Sequence, residues 1–172
     1  MIAIVEPSGA DVPHLSSFLR KAWAEAGPGS LGWVGASDVA VEELASESFL
    51  TALLAREDTR VLAAVAAGEV IGLAVLRRTN ATSMELAGLI LLESRTGQGV
   101  GRALLSATLE RARSEGATDV VVRTETANDR ALRFYQRCGF VIESRGLEEV
   151  EGIRVSLATL RCHVNRGPGK DQ

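Results

Sequence analysis

Two hydrophobic periods divide this chain into elements. The run "IAIVEP" (residues 2–7) reads as a short strand. "DVPHLSSFLRKAWAEA" places Val12, Leu15, Phe18, Leu19 and Trp23 at helical spacing, and "GPG" stops it. A glycine-rich loop, "GPGSLGWVGAS", leads to Asp38, which can cap a second helix through about Arg56. Its apolar stripe would be Val41, Leu44, Ala45, Phe49 and Leu53. "RVLAAVAAGEVIGLAVLRR" is two β-type runs around "AAGE", a hairpin signal. "SMELAGLILLES" reads as a third strand of the same sheet, and its "AG" invites a bulge or a close backbone approach.

Residues 100–115 form a helical pattern with Leu104, Leu105, Thr108, Leu109 and Ala112 inward and Gly116 as its stop. "TDVVVRTE" is a buried type of strand. "NDRALRFYQRC" is a helix with Asn128 as cap and Gly139 just past its end. "FVIES" and "IRVSLATL" complete the strands, with "RGLEEVEG" as the loop between them. The order β-α-α-β-β-β-α-β-α-β-β predicts an α/β fold: one mixed sheet with helices on both faces. Residues 1–165 read as a single domain, and the polar, glycine-rich tail 166–172 is expected to be disordered.

At 172 residues with 46% apolar and 24% charged residues, composition is that of an ordinary globular domain. A net charge of −3 favours neither nucleic acid nor a membrane surface as partner. No apolar run reaches the roughly 18–20 residues that span a bilayer, and the first residues lack the charged start of a signal peptide. Cys138, Cys162, His14 and His163 show no metal-ligand spacing, so no metal is expected and a reducing cytoplasm is the default location.

"RTGQGVGRALL" changes this picture, because it sets three glycines where a strand turns into a helix. Glycine inside a helix start costs about 0.5–1 kcal/mol against alanine unless the backbone needs φ > 0 or a close approach. A helix N-terminus offers unpaired N–H groups and the positive end of a dipole, which suits a phosphate. A dinucleotide fingerprint fails, since Arg102 or Leu104 falls where its third glycine belongs. A P-loop fails for want of the lysine.

Thr96-Gly97-Gln98-Gly99-Val100-Gly101 resembles motif A, Gln/Arg-x-x-G-x-G/A, of the GNAT superfamily of N-acetyltransferases. Thr96 departs from the usual Gln or Arg, with Arg95 one step earlier. "NDRALRFYQRCGF" resembles the same family's N-x-x-A-x-x-F-Y-x-x-x-G-F, matching at Asn128, Ala131, Phe134, Tyr135, Gly139 and Phe140. The resemblance covers roughly residues 60–145 and implies the GNAT fold, a central and mostly antiparallel sheet flanked by helices. The activity it implies is acetyl transfer from acetyl-CoA to a primary amine.

It also implies roles. The pantetheine arm would lie along the backbone of Leu89, Ile90 and Leu91 like an added strand. The pyrophosphate would sit on the N–H groups of Gly97, Gln98, Gly99, Val100, Gly101 and Arg102. Asn128 would contact the pantetheine arm besides capping its helix. Tyr135 would be the general acid at the CoA sulfur. Glu85 would be the general base; it shares a strand face with Ala87, Leu89 and Leu91, and burial among such apolar neighbours would raise its pKa, which suits a base acting through water. Arg123 stands where some relatives carry an acid on the next strand, and Glu125 is the reserve base.

The acceptor is expected between the loop containing Trp33 and the loop carrying Glu148, Glu149 and Glu151. Those carboxylates favour a small cationic amine, polyamine- or aminoglycoside-like. Protein N-terminal or lysine acetylation is the alternative. A non-catalytic acyl-CoA sensor is a third reading, and the presence of both Tyr135 and Glu85 weighs against it. Acetyl-CoA and the amine are the expected partners, and a homodimer is compatible with the sequence.

Overall fold

A computed structural model describes residues 1–27, 37–150 and 152–164. Seven strands form one sheet in the order β1-β2-β3-β4-β5-β7-β6. They are β1 (Ala3–Val5), β2 (Thr59–Ala66), β3 (Glu69–Arg78), β4 (Ser83–Leu91), β5 (Asp119–Glu125), β6 (Val141–Val150) and β7 (Ile153–His163). Every neighbouring pair is antiparallel except β4–β5. The helices are α1 (Val12–Ala26), α2 (Asp38–Leu44), α3 (Glu47–Leu54), α4 (Val100–Ser114) and α5 (Asp129–Arg137).

Ile71, Leu73, Ala74 and Leu76 of β3 are all buried, so this central strand is covered on both faces. The α4 side is fixed by Gly72, where an added Cβ would lie 3.3 Å from Leu104 of α4 and 2.8 Å from Leu91. The expected β2–β3 hairpin forms, turning through Ala67 (φ 50°) and Gly68 (φ 79°), as a tight hairpin turn requires. Gly116 and Gly139 take positive φ where α4 and α5 end.

Two expectations are corrected. The helix predicted over residues 38–56 is two helices. The Ser46 hydroxyl accepts from the Phe49 N–H at 3.3 Å and starts a new helix there. The break rotates the apolar stripe: Val41, Ala45 and Leu50 are buried, while Leu44 and Phe49 are exposed. The predicted loop "RGLEEVEG" is mostly strand. β6 runs on to Val150 and pairs with β7 as far as Val150↔Ile153, making a long hairpin. The tail 166–172 and the "GPGSLGWVGAS" segment from residue 28 to 36, with Trp33, lie outside the described residues.

Candidate active site

The sheet opens between β4 and β5. Their pairing runs from Ser83↔Asp119 to Leu86↔Val122 and stops, although β4 continues to Leu91 and β5 to Glu125. The cause lies in β4: Val75 pairs with Gly88 and Leu76 with Leu86, leaving Ala87 as an extra, exposed residue. This is the bulge that "AG" invites, and bulges bend a strand and end its pairing. Beyond it, the edge of β4 facing β5 at Leu89, Ile90 and Leu91 has no strand partner among the described residues, while its other edge is held by β3.

The bulge also corrects the expected face. Glu85 pairs with Arg77, and past the bulge Leu89 and Leu91 pair with Ala74 and Gly72 on the α4 side. Glu85 therefore shares its face with Gly88 and Ile90, not with Leu89 and Leu91. Its surroundings are charged. Arg77 donates to Glu85 Oε2 at 2.5 Å and Arg123 to Oε1 at 3.0 Å. Burial alone would raise the Glu85 pKa, but the bonds from Arg77 and Arg123 outweigh it and hold the carboxyl below its ordinary value. The expected raised pKa is thus wrong, because the neighbours are guanidiniums rather than aliphatic carbon.

The glycine turn divides its work. Gly97 and Gly99 have φ of 74° and 82°, a region closed to most side chains, and nothing lies within 4 Å of an added Cβ at either. Gly101 is helical, and a Cβ there would lie 3.1 Å from Leu91 and 3.4 Å from Phe134. Two glycines thus shape the backbone around open space, and the third lets α4 approach β4 and α5. Helix α4 begins with Ala103 N–H bonding Gly99 C=O. Among the described residues, no hydrogen bond is made by the N–H groups of Gly97, Gln98, Gly99, Val100, Gly101 or Arg102. The turn before it is braced from both sides, by Glu25 accepting from the Ser94 N–H at 3.1 Å and by an Arg130–Glu93 pair at 2.9 Å. No sequence motif marks those braces, since they join residues far apart in the chain.

On α5, Asn128 Oδ1 accepts from Ala131 N–H at 3.1 Å, so its cap role is real, and its amide N–H₂ has no partner among the described residues. Tyr135 is buried, its ring edge-on to Phe134 and Phe140 with centroids 5.2 and 5.5 Å away. Burial pushes the phenol well above its ordinary pKa, with a smaller push from Cys138. Its hydroxyl has no hydrogen bond among the described residues but is not sealed from solvent, so it is open to a ligand.

A cavity of about 250 Å³ opens where β4 and β5 part, lined by Glu85, Leu86 and Ala87, by Arg123 and Glu125 of β5, and by Glu148 of β6. Glu125 is buried. Arg123 bridges the cavity, donating to Glu148 at 2.9 Å as well as to Glu85. Glu149 alternates to the opposite face from Glu148 and so does not join it, and Glu151 lies outside the described residues. No helix among the described residues is long and apolar enough to cross a membrane, and no three His, Cys, Asp or Glu side chains among them are placed to hold a metal ion.

The profile of the Acetyltransferase (GNAT) family matches residues 19–140, more than half the chain. The N-acetyltransferase YvbK of Bacillus subtilis (strain 168) is 31% identical over 79 residues, 46% of this chain and 51% of that protein. N-alpha-acetyltransferase 30 of Schizosaccharomyces pombe is 36% identical over 55 residues, 32% of this chain and 37% of that protein. The match therefore spans about half or less of the length of these curated relatives. In fold, the chain resembles the ribosomal-protein-S18-alanine N-acetyltransferase of Escherichia coli with a TM-score of 0.72 at 16% identity, covering 100% of this chain and 99% of that one. It resembles the PaiA N-acetyltransferase of Thermoplasma acidophilum, solved in complex with coenzyme A, with a TM-score of 0.72 at 22% identity over 95% and 99% of the two chains. With the family model covering more than half of its length, the chain belongs to the acetyltransferase (GNAT) family.

Proposed function

We propose that the chain transfers an acetyl group from acetyl-CoA to a primary amine, and that the amine is a small cation, polyamine- or aminoglycoside-like. The observation that carries this reading is the row of six unbonded N–H groups from Gly97 to Arg102, beside open space at Gly97 and Gly99. Such a row suits a pyrophosphate, which a side chain at Gly99 would obstruct. The unpaired edge of β4 at Leu89, Ile90 and Leu91 suits an extended amide-bearing arm, and the free N–H₂ of Asn128 gives that arm a further donor.

Bound acetyl-CoA supplies an activated thioester. This chain's part is to hold it, to take a proton from the amine and to return one at the leaving sulfur. Tyr135 Oη is the donor at the sulfur. Burial keeps the proton on oxygen, so the hydroxyl can hydrogen-bond to the leaving sulfur as charge builds there. In this reading the buried Glu125 is the base, on the cavity wall beside Glu85, whose two oxygens hold Arg77 and Arg123. Glu85, Glu125 and Glu148 on the cavity wall outnumber Arg123 and the Arg77 behind Glu85, which favours a cationic acceptor.

Calorimetry with acetyl-CoA, followed by a CoA-release assay over a panel of polyamines, aminoglycosides, neutral amines and peptides, tests the reading. Binding of acetyl-CoA and a preference for polycationic small amines are expected. Failure to bind acetyl-CoA would overturn it, and acetylation of a peptide amine above every small amine would replace the acceptor class.

A further inference from the structure

We propose that the Arg123 guanidinium occupies, in the free protein, the seat of an acceptor's second positive charge, so that dicationic acceptors are selected by displacing it; this rests on the acetyl-transfer reading above. Three guanidinium nitrogens of Arg123 are engaged. Nη2 and Nε donate to Glu85 Oε1 at 3.0 and 3.3 Å, and Nη1 donates to Glu148 Oε2 at 2.9 Å. Two carboxylates, from strands on opposite sides of the cavity, thus converge on one cation-sized position.

The partners differ in how firmly they are held. Glu85 is fixed, because its second oxygen is taken by Arg77 and only 13% of its side chain is exposed. Arg123 is 45% exposed and Glu148 is 42% exposed. Ion pairs this open to water contribute little, and Arg123 is a long flexible side chain that can swing into solvent. An entering ammonium then finds a prealigned pair of carboxylates. A monoamine gains nothing from that pair, since its one nitrogen must go to the base. If Arg123 instead gripped a carboxylate of the acceptor, its removal would weaken every acceptor that binds.

The test compares 1,4-diaminobutane with butylamine, by calorimetry and by steady-state acetylation, in the wild type, Arg123→Gln and Glu148→Gln. The diamine-to-monoamine affinity ratio should rise about fivefold in Arg123→Gln, the scale of one unit charge at contact distance in water. It should fall below the wild-type ratio in Glu148→Gln, and melting temperatures show that each variant is folded. An unchanged or lower ratio in Arg123→Gln overturns the proposal. Calorimetry reads the seat without turnover. The expected binding pattern with no acetyl transfer would sink the enzymatic reading alone, and acetylation with a flat ratio would sink the seat alone.

Discussion

The two sides of the candidate site treat their polar groups in opposite ways. On the side of α4 and α5, donors stand without partners among the described residues: the N–H row from Gly97 to Arg102, the Asn128 amide and the Tyr135 hydroxyl. On the other side, Arg77, Glu85, Arg123 and Glu148 form a continuous chain of ion pairs, and Asp119, Arg161 and Glu143 form another. Unengaged donors suit a ligand of fixed shape, which meets a preorganised surface. Self-paired charges suit a ligand that must compete for its place, which turns binding into an exchange and makes selectivity a difference between two similar contacts.

The largest expected effect breaks the first side. Gly99→Asp puts a side chain at a φ of 82° and a carboxylate where the phosphates would approach. Acetyl-CoA affinity measured by calorimetry should fall more than about 100-fold, because like-charge contact costs several kcal/mol, with circular dichroism unchanged. Retained affinity would mean the row of amides is not the pyrophosphate seat.

Next comes Tyr135→Phe. It should lower kcat by about 10²–10⁴-fold and leave acetyl-CoA affinity near wild type, since the hydroxyl acts mainly in the transition state. Tyr135 is the one tyrosine in the chain, so phenolate absorbance reads it directly. Its folded pKa is raised, so the neutral phenol's stabilising contribution is intact below the ordinary value of about 10 and lost as pH rises beyond it. Phenolate should appear later than for a free tyrosine. Titration of the folded protein near pH 10 would contradict the effect of burial.

Glu125→Gln and Glu85→Gln then separate base from support. Glu125→Gln should slow turnover about 10²-fold near neutral pH and recover as pH rises and free amine forms unaided. Glu85→Gln should cost only severalfold, through the loss of one carboxylate that faces the acceptor. The reverse order would return the base to Glu85.

The smallest effect concerns stability. The Glu85 carboxyl is held below its ordinary pKa, so its contribution is present above about pH 4.3 and lost as pH falls through the folded value. Urea midpoints of wild type and Glu85→Gln should differ at pH 7 and converge in acid. A gap that persists in acid would assign the difference to packing rather than charge.

What could be read in advance follows the same division. A site made of backbone shows in sequence because glycine is the residue that permits it. Gly97, Gly99 and Gly101 were therefore visible, as were the Asn128 cap and the Tyr135 position. A site made of side chains depends on register. "AG" invites a bulge or a close backbone approach, but only pairing shows that a bulge forms at Ala87, shifts the phase and turns Leu89 and Leu91 away from the face of Glu85. The pairing of Glu85 with Arg77 and Arg123 joins three strands, and no local pattern carries it. The break at Ser46 was equally hidden, because the apolar spacing on either side still reads as one helix.

The parted strands also bear on how the protein breathes. Strands β1 to β4 are tied to β5, β7 and β6 by one short parallel ladder, Ser83 to Leu86 against Asp119 to Val122, whereas β5 and β7 pair from Asp119 to Glu125. Parallel pairing is slightly weaker per residue, and its partners are separated in sequence by the whole of α4. Sub-global opening should therefore start along this seam and divide the sheet into two cooperative units. Amide hydrogens of Met84 to Leu86 would then exchange faster than those of β2 and β3, and a ligand lying between β4 and β5 would slow them by acting as the missing length of ladder.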